Sequence, residues 1–282
     1  MPGLLNGQVA VVSGAARGQG RSHCVRLAEE GADIIAMDIC RQIETVPYAL
    51  ATPDDLRETV RLVENVGRRI IATETDVRDG QAVTAAVDDG VAALGRLDIA
   101  ISNAGISSYA RAEEMDEESW RNVIDTDLTG VWHVARAAMP HLIAGERGGS
   151  IVLISSSAAH IGLANLSHYS AAKTGVVGLM RSLAVELAPH MIRVNSIHPT
   201  SVYTTMLANQ ATYDLFVPDS LGMDAGTGTP AEVAEAFKTL NALPIPWIEP
   251  LDISNAIVFL VSEQGRYITG TELRVDAGSA AK

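Results

Sequence analysis

The sequence predicts a single α/β domain: a doubly wound, seven-stranded, mainly parallel sheet with helices on both faces. Three observations lead there. Short unbroken apolar runs, such as 9–12, 34–37 and 151–154, read as strands buried on both faces. Longer segments with helical spacing of apolar residues separate them. A glycine-rich turn, Gly14-Ala-Ala-Arg-Gly18-Gln-Gly20, follows the first run directly and opens a helix. The length of 282 residues is within range for one such sheet carrying a lid.

The elements follow in order. Val9 to Val12 make the first strand, and an amphipathic helix runs through Cys24, Leu27 and Ala28 to Gly31. Ile34 to Met37 make the second strand, which ends at Asp38. A helix starts at about Pro53, a favoured first helical residue, with Leu56, Val60 and Val63 inward. Ile70 to Thr73 form the third strand, and Ala82 to Leu94 the next helix. The fourth strand, Leu97 to Ile101, opens into Asn103-Ala104-Gly105. From Glu117 the spacing of Trp120, Val123, Ile124, Leu128, Val131 and Val134 predicts one long helix to about Ala144. Gly148 and Gly149 precede the fifth strand, Ile151 to Ile154. A helix begins near Ser167 and passes Leu179, Leu183 and Leu187 to Pro189. Ile192 to Ile197 make the sixth strand, Asp252 to Leu260 a helix, and Glu272 to Val275 the last strand. Residues 203 to about 250 interrupt the regular pattern. They carry Met206, Leu207, Tyr213, Phe216, Val217, Leu221, Met223 and Trp247, with Gly222, Gly226 and Gly228 as hinges.

Composition narrows the function classes. Lys and Arg total 21 against 34 Asp and Glu, a net charge of −13, which argues against nucleic acid or an anionic membrane as partner. Cys24 and Cys40 are the two cysteines; they read as buried free thiols in a reducing compartment. No metal-ligand spacing surrounds them. No apolar stretch is long enough to span a bilayer, so a cytoplasmic protein is expected.

The stretch 150–173 carries the chemistry. Tyr169 and Lys173 are four apart and share a helix face. Ser156 lies thirteen residues before Tyr169, where the fifth strand emerges at its carboxyl end, the edge at which open α/β sheets bind ligands. A free tyrosine, with a pKa of about 10, is a poor base at neutral pH. A neighbouring ammonium favours the phenolate, so Lys173 is expected to lower that value. Ser156 would donate a hydrogen bond to a substrate oxygen, and Tyr169 would exchange the proton of that hydroxyl. The bland reading of Tyr-x-x-x-Lys is an ordinary helix surface; the serine and the glycine turn weigh against it. Glycines let the backbone approach a pyrophosphate at the helix amino terminus.

Ser156, Tyr169 and Lys173, with Gly14-x-x-x-Gly18-x-Gly20, resemble the short-chain dehydrogenase/reductase family, and the resemblance spans nearly the whole chain. It implies a Rossmann domain and an oxidoreductase that moves a hydride between a nicotinamide and an alcohol or ketone. Asp38, twenty residues after Gly18, would bind the adenosine ribose hydroxyls and repel a 2′-phosphate, so the cofactor is read as NAD(H). Arg17 is the counter-signal, a base that would meet such a phosphate. The resemblance assigns Gln19 and Gly20 to the cofactor turn, Asp76 and Val77 to the adenine, and Asn103, Ala104 and Gly105 to a structural and cofactor-binding turn. Asp76 also reads as a cap for the following helix. Pro199, the Val202 backbone and Thr204 would hold the nicotinamide carboxamide. His198 has no evident partner and reads as a packed strand-end histidine.

Four departures from the family pattern stand out. Asp127 occupies the place of a catalytic asparagine, where it would compete with Tyr169 for the Lys173 ammonium. Thr200 replaces a usual glycine, and Ala277 replaces another. The 37 residues from 39 to 75 exceed the usual connection, with the surplus at about 41–53. Ala15-Ala-Arg-Gly-Gln-Gly20, that surplus, Pro246-Trp-Ile-Glu-Pro250 and the Val275-Asp-Ala-Gly278 ending resemble the mycofactocin-associated, carveol dehydrogenase-like branch. The branch implies an apolar alcohol or ketone substrate under a lid at about 203–250. It also implies NAD held too tightly to exchange, an external redox carrier and, with the wider family, a homotetramer. An epimerase or lyase using the same tyrosine, and a catalytically weak NAD-binding sensor, are the alternative readings.

Overall fold

The computed structural model describes residues 3–221 and 230–282, with residues 217–221 described as backbone. The anticipated lid residues Gly222, Met223, Gly226 and Gly228 lie outside the described residues, as do the side chains of Val217 and Leu221. Seven parallel strands form one sheet in the order β3-β2-β1-β4-β5-β6-β7. They are β1 (Val9–Ser13), β2 (Asp33–Asp38), β3 (Ile70–Glu74), β4 (Ile99–Ser102), β5 (Gly149–Ile154), β6 (Ile192–Pro199) and β7 (Glu272–Val275). The order reverses between β1 and β4, so a crevice opens at their carboxyl ends.

The period of two along each strand divides the core. Ala10, Val12, Ile34 and Ala36 face one side, where α1 (Gly18–Glu29), α2 (Pro53–Asn65) and α9 (Pro250–Val261) supply Leu27, Leu56, Val63, Ile253 and Ile257. Val9, Val11, Ile35 and Met37 face the other, against α3 (Gly80–Leu94), α5 (Gly130–Gly145) and α6 (Ser167–Leu187). The unbroken apolar runs of the sequence are thus strands covered on both sides.

Local chemistry sets the ends. Thr52 and Asp55 form a reciprocal capping box ahead of α2, with Pro53 in its first turn. Inside α2, Thr59 is buried and Val60 only half-buried, because Thr59 bonds the Ala15 and Ala16 carbonyls. Asp79, rather than Asp76, caps α3 by accepting from the Gln81 and Ala82 amides.

The long helix expected from Glu117 is interrupted. It begins as α4 (Glu117–Ile124), widens to a π turn over Asp125–Thr129, and resumes as α5. The periodicity of Val123, Val131 and Val134 holds, but Trp120 is 41% exposed. One residue beyond the α-helical count is accommodated where Asp127 turns inward, as π turns do at functional sites. The stretch after β6 contains α7 (Gln210–Leu221) and α8 (Pro230–Lys238). No helix among the described residues is long and apolar enough to cross a membrane. Cys24 and Cys40 are buried free thiols, as expected.

Candidate active site

Two adjoining clefts open at the carboxyl edge of the sheet, with empty volumes of about 890 Å³ and 1140 Å³. Gln19, Asn103, Gly105, Thr204 and Met206 line both.

The first cleft is built on the glycine turn. A side chain at Gly20 would put its Cβ 1.9 Å from the Gly14 carbonyl oxygen, and Gly14 itself has φ +65°. Only glycine fits the turn. It delivers the start of α1 to the cleft with no side-chain cap at Arg17, so first-turn amides stay available for an anion. Asp38, at the end of β2, is buried and accepts from the Ala16 amide at 2.9 Å and the Cys40 amide at 3.2 Å. Each carboxylate oxygen keeps a further lone pair for a ribose hydroxyl. Burial raises the Asp38 pKa, and those amides pull it back. Arg17, the counter-signal in the sequence, donates to the Ala49 carbonyl of the surplus segment. Its guanidinium is therefore engaged. Asp76 and Val77 line the cleft; Arg41 and Arg78 hold the Asp76 carboxylate at 2.9 and 2.7 Å.

Ser13 and Asn103 tie the two central strands. The Ser13 hydroxyl accepts from the Asn103 and Ala104 amides at 3.0 and 3.1 Å, and the Asn103 side chain returns a bond to the Ser13 carbonyl at 2.9 Å. On the far side, Pro199, Val202 and Thr204 line the second cleft. Val202 is fixed by a bridge to Ile248, and the Thr204 methyl lies 3.3 Å from where a Gly18 Cβ would stand.

The surplus segment closes the first cleft from above. Gln42 donates to the carbonyls of Ile43, Val46 and Tyr48 and accepts from the Leu50 amide, so one side chain shapes the whole loop. Ile43, Val46 and Tyr48 are buried with Ile106 and Val123. The Tyr48 hydroxyl accepts from the Ser107 amide at 3.0 Å, and Thr45 accepts from Asn122 at 3.0 Å. Tyr48 and Tyr109, whose hydroxyl pairs with Thr212 at 2.7 Å, line the clefts without a sequence signal to mark them. Their position depends on how the loop folds back.

Ser156, Tyr169, Lys173 and Asp127 meet on the wall of the second cleft. Ser156 stands at the end of β5 and accepts from the Ala158 amide at 3.1 Å. The Lys173 ammonium is buried, 5.4 Å from the Tyr169 ring centre and 3.2 Å from the Ile154 carbonyl. It is 3.1 Å from an oxygen of Asp127, which is fully buried and accepts from the Ile106 amide at 2.8 Å through its other oxygen. The π turn is what carries Asp127 into this position.

The electrostatics correct one expectation. Burial raises the Tyr169 pKa; Lys173 lowers it, Asp127 raises it again, and the Ser156 hydrogen bond lowers it. The net direction is upward: burial is the largest cause, and the Lys173 ammonium that opposes it is shared with the Asp127 carboxylate. Burial works against the Lys173 charge, but Asp127 and Tyr169 outweigh it and keep the ammonium protonated. Burial raises Asp127 as well, with Lys173 opposing. His198 is the packed strand-end histidine expected, and the structure supplies its partners: the Ser196 hydroxyl at 2.8 Å, and His160 and the Ser156 carbonyl, both at 3.1 Å.

Comparison with known proteins agrees with this geometry. The sequence model of the short chain dehydrogenase family matches residues 8–214. A (−)-trans-carveol dehydrogenase of Rhodococcus erythropolis is 55% identical over 279 residues, covering 99% of each chain. The crystal structure of a carveol dehydrogenase from Mycobacterium avium in complex with NAD superposes with a TM-score of 0.96 at 51% identity, over 99% of this chain and 100% of that one. A short chain dehydrogenase from Mycobacterium paratuberculosis bound to NAD gives 0.87 at 44% identity, over 99% and 100%. Fold, glycine turn and full-length similarity agree: the chain belongs to the short-chain dehydrogenase family.

Proposed function

We propose that the protein is an NAD-dependent dehydrogenase of apolar secondary alcohols, carveol-like in shape, whose NAD stays bound between turnovers and is reoxidised in place by an external carrier. The observation that carries the reaction is the convergence of Ser156, Tyr169 and Lys173 beside the cleft that the glycine turn opens onto. NAD fits that cleft because of the uncapped start of α1, the glycine-only turn and the Asp38 carboxylate; when bound, it takes up the hydride from the alcohol carbon.

The chain's own residues do the rest. Ser156 donates a hydrogen bond to the alcohol oxygen and holds it against the Tyr169 phenol. Tyr169 takes the hydroxyl proton as the base, and Lys173 stabilises the phenolate. General-base assistance of this kind is worth about 10²–10⁴-fold in rate. Asp127 anchors Lys173 and moderates its pull on Tyr169. In the reverse direction the phenol returns the proton to the ketone.

The substrate class rests on the second cleft. Ile161, Leu163, Leu166, Met206, Leu207 and Phe216 line it, with hydroxyls at Ser156, Tyr109 and Thr212. Apolar walls with a few fixed polar groups suit a compact alicyclic alcohol. We read residues 203–250 as the lid and residues 41–53 as an insertion within one domain, acting in the cytoplasm.

Tight NAD rests on the insertion. Its bonds to Arg17, Ser107, Asn122 and Asp76 lock it over the adenosine end. The test is a mass and ultraviolet spectrum of protein purified without added cofactor, before and after adding carveol. NAD that copurifies, is reduced once and stays bound is expected. Protein that arrives empty and turns over freely with added NAD would leave the dehydrogenase and remove the carrier.

A further inference from the structure

A second cluster of chemistry lies behind the site, on the β6–β7 edge of the sheet. His160 follows the short turn Ser157–Ala159, His198 lies on β6, and Glu272 opens β7. In the register of these strands Ser196 faces Glu272 and His198 faces Arg274, so the period of two sets His198 and Glu272 on one face. His160 Nε2 is 3.1 Å from His198 Nδ1 and 3.4 Å from Glu272 Oε2, and all three atoms lie within 4.8 Å of one another. Zinc bonds of about 2.0–2.2 Å in tetrahedral array put neighbouring ligand atoms about 3.3–3.5 Å apart. Two of the three separations already approach that value.

We propose that His160, His198 and Glu272 form a binding site for one transition-metal ion of the zinc class, outside the two clefts. The surroundings act as supports for such ligands. The Ser196 hydroxyl lies 2.8 Å from His198 Nε2, so it can accept the ring N–H once an ion displaces the proton that Nδ1 donates to the Ser156 carbonyl. Arg181 binds Glu272 Oε1 at 2.6 Å, which leaves Oε2 turned toward His160. Arg181 and Arg274 place positive charge nearby, which disfavours calcium or magnesium held by charge alone. Imidazole donors select zinc, nickel, cobalt or copper instead.

The site is mechanically joined to the active site. His198 Nδ1 also lies 3.1 Å from the carbonyl of Ser156. An ion that takes this nitrogen removes its contact with that carbonyl, so occupancy reaches Ser156 directly.

The experiment uses full-length protein stripped with chelator and titrated with Zn²⁺ by calorimetry and with Co²⁺ by visible absorption. One ion per chain and an intense tetrahedral Co²⁺ band are expected. His160 and Glu272 are partly exposed, with side chains 18% and 21% accessible, so His160→Ala and Glu272→Gln should fold; circular dichroism checks this. Each should weaken Zn²⁺ binding at least tenfold. His141→Ala, which removes the exposed His141–Asp88 pair, should leave it unchanged. No saturable one-to-one binding, or equal affinity in His160→Ala and Glu272→Gln, would overturn the proposal. So would a comparable loss in His141→Ala.

Discussion

At the scale of residues, Asp127 bears on Tyr169, the base we propose. Burial raises the Tyr169 pKa most; the Asp127 charge adds to that and also occupies the ammonium that would lower it. Alcohol oxidation needs the phenolate, so its rate climbs with pH towards a folded-state pKa held above the usual value. Asp127→Asn removes the opposing charge and frees Lys173. The ascending limb of the pH–rate profile should move to lower pH, with turnover at neutral pH equal or higher. A fall of about a hundredfold or more, the size of a lost general-acid/base contribution, would give the carboxylate a role of its own. Gly105 tests the same pair from another side. A Cβ there would stand 2.9 Å from the Asp127 oxygen and 3.2 Å from the Lys173 ammonium. Both are side-chain ends that can shift, so Gly105→Ala should fold yet displace the pair. Misplacement by about 1 Å costs up to about 10²-fold, read as lower kcat with unchanged thermal midpoint. Ser156, Tyr169 and Lys173 were legible because spacing along one strand and one helix fixes where they meet. The partners of His198 were not. His160 and Glu272 reach it only through sheet register and a turn, and no local pattern records that.

Elements show the same division. The seven strands and the helices of the sheet faces follow from apolar runs and helical spacing, because the central strands are covered on both sides and carry mostly apolar residues. The π turn at Asp125–Thr129 leaves no such mark. The apolar residues on either side keep a near-helical period, and the extra residue is absorbed where a carboxylate meets Lys173. The insertion is visible as surplus length, but its shape depends on Gln42, whose amide makes four hydrogen bonds to Ile43, Val46, Tyr48 and Leu50. Gln42→Ala should loosen the loop without disturbing the sheet. Net hydrogen bonds of about 0.5–1.5 kcal/mol each make a ten- to hundredfold faster NAD release a reasonable order of magnitude at about 1.4 kcal/mol per factor of ten. Stopped-flow displacement of bound NAD measures it. An unchanged release rate would mean that the insertion does not hold the cofactor.

For the whole molecule, the outer face of α6 raises a question that one chain does not answer. Val185 lies there 76% exposed, and Gly178, two turns earlier on the same face, has nothing within 4 Å of where a Cβ would stand. Glycine inside an exposed helix costs about 1 kcal/mol relative to alanine. Nothing among the described residues uses the space it leaves. Trp132, on the neighbouring long helix α5, is 38% exposed. An exposed glycine and valine on α6 and an exposed tryptophan on α5 suit packing of these helices against a second copy, and a different patch about another axis would complete the expected homotetramer. Light scattering behind a sizing column should therefore report about four times 29.8 kDa. Val185→Glu should lower that mass, since it sets a carboxylate against its own copy across a dyad, while NAD binding per chain persists. A wild-type chain that runs as a monomer at micromolar concentration would sink the tetramer and leave the Gly178 position without a packing role.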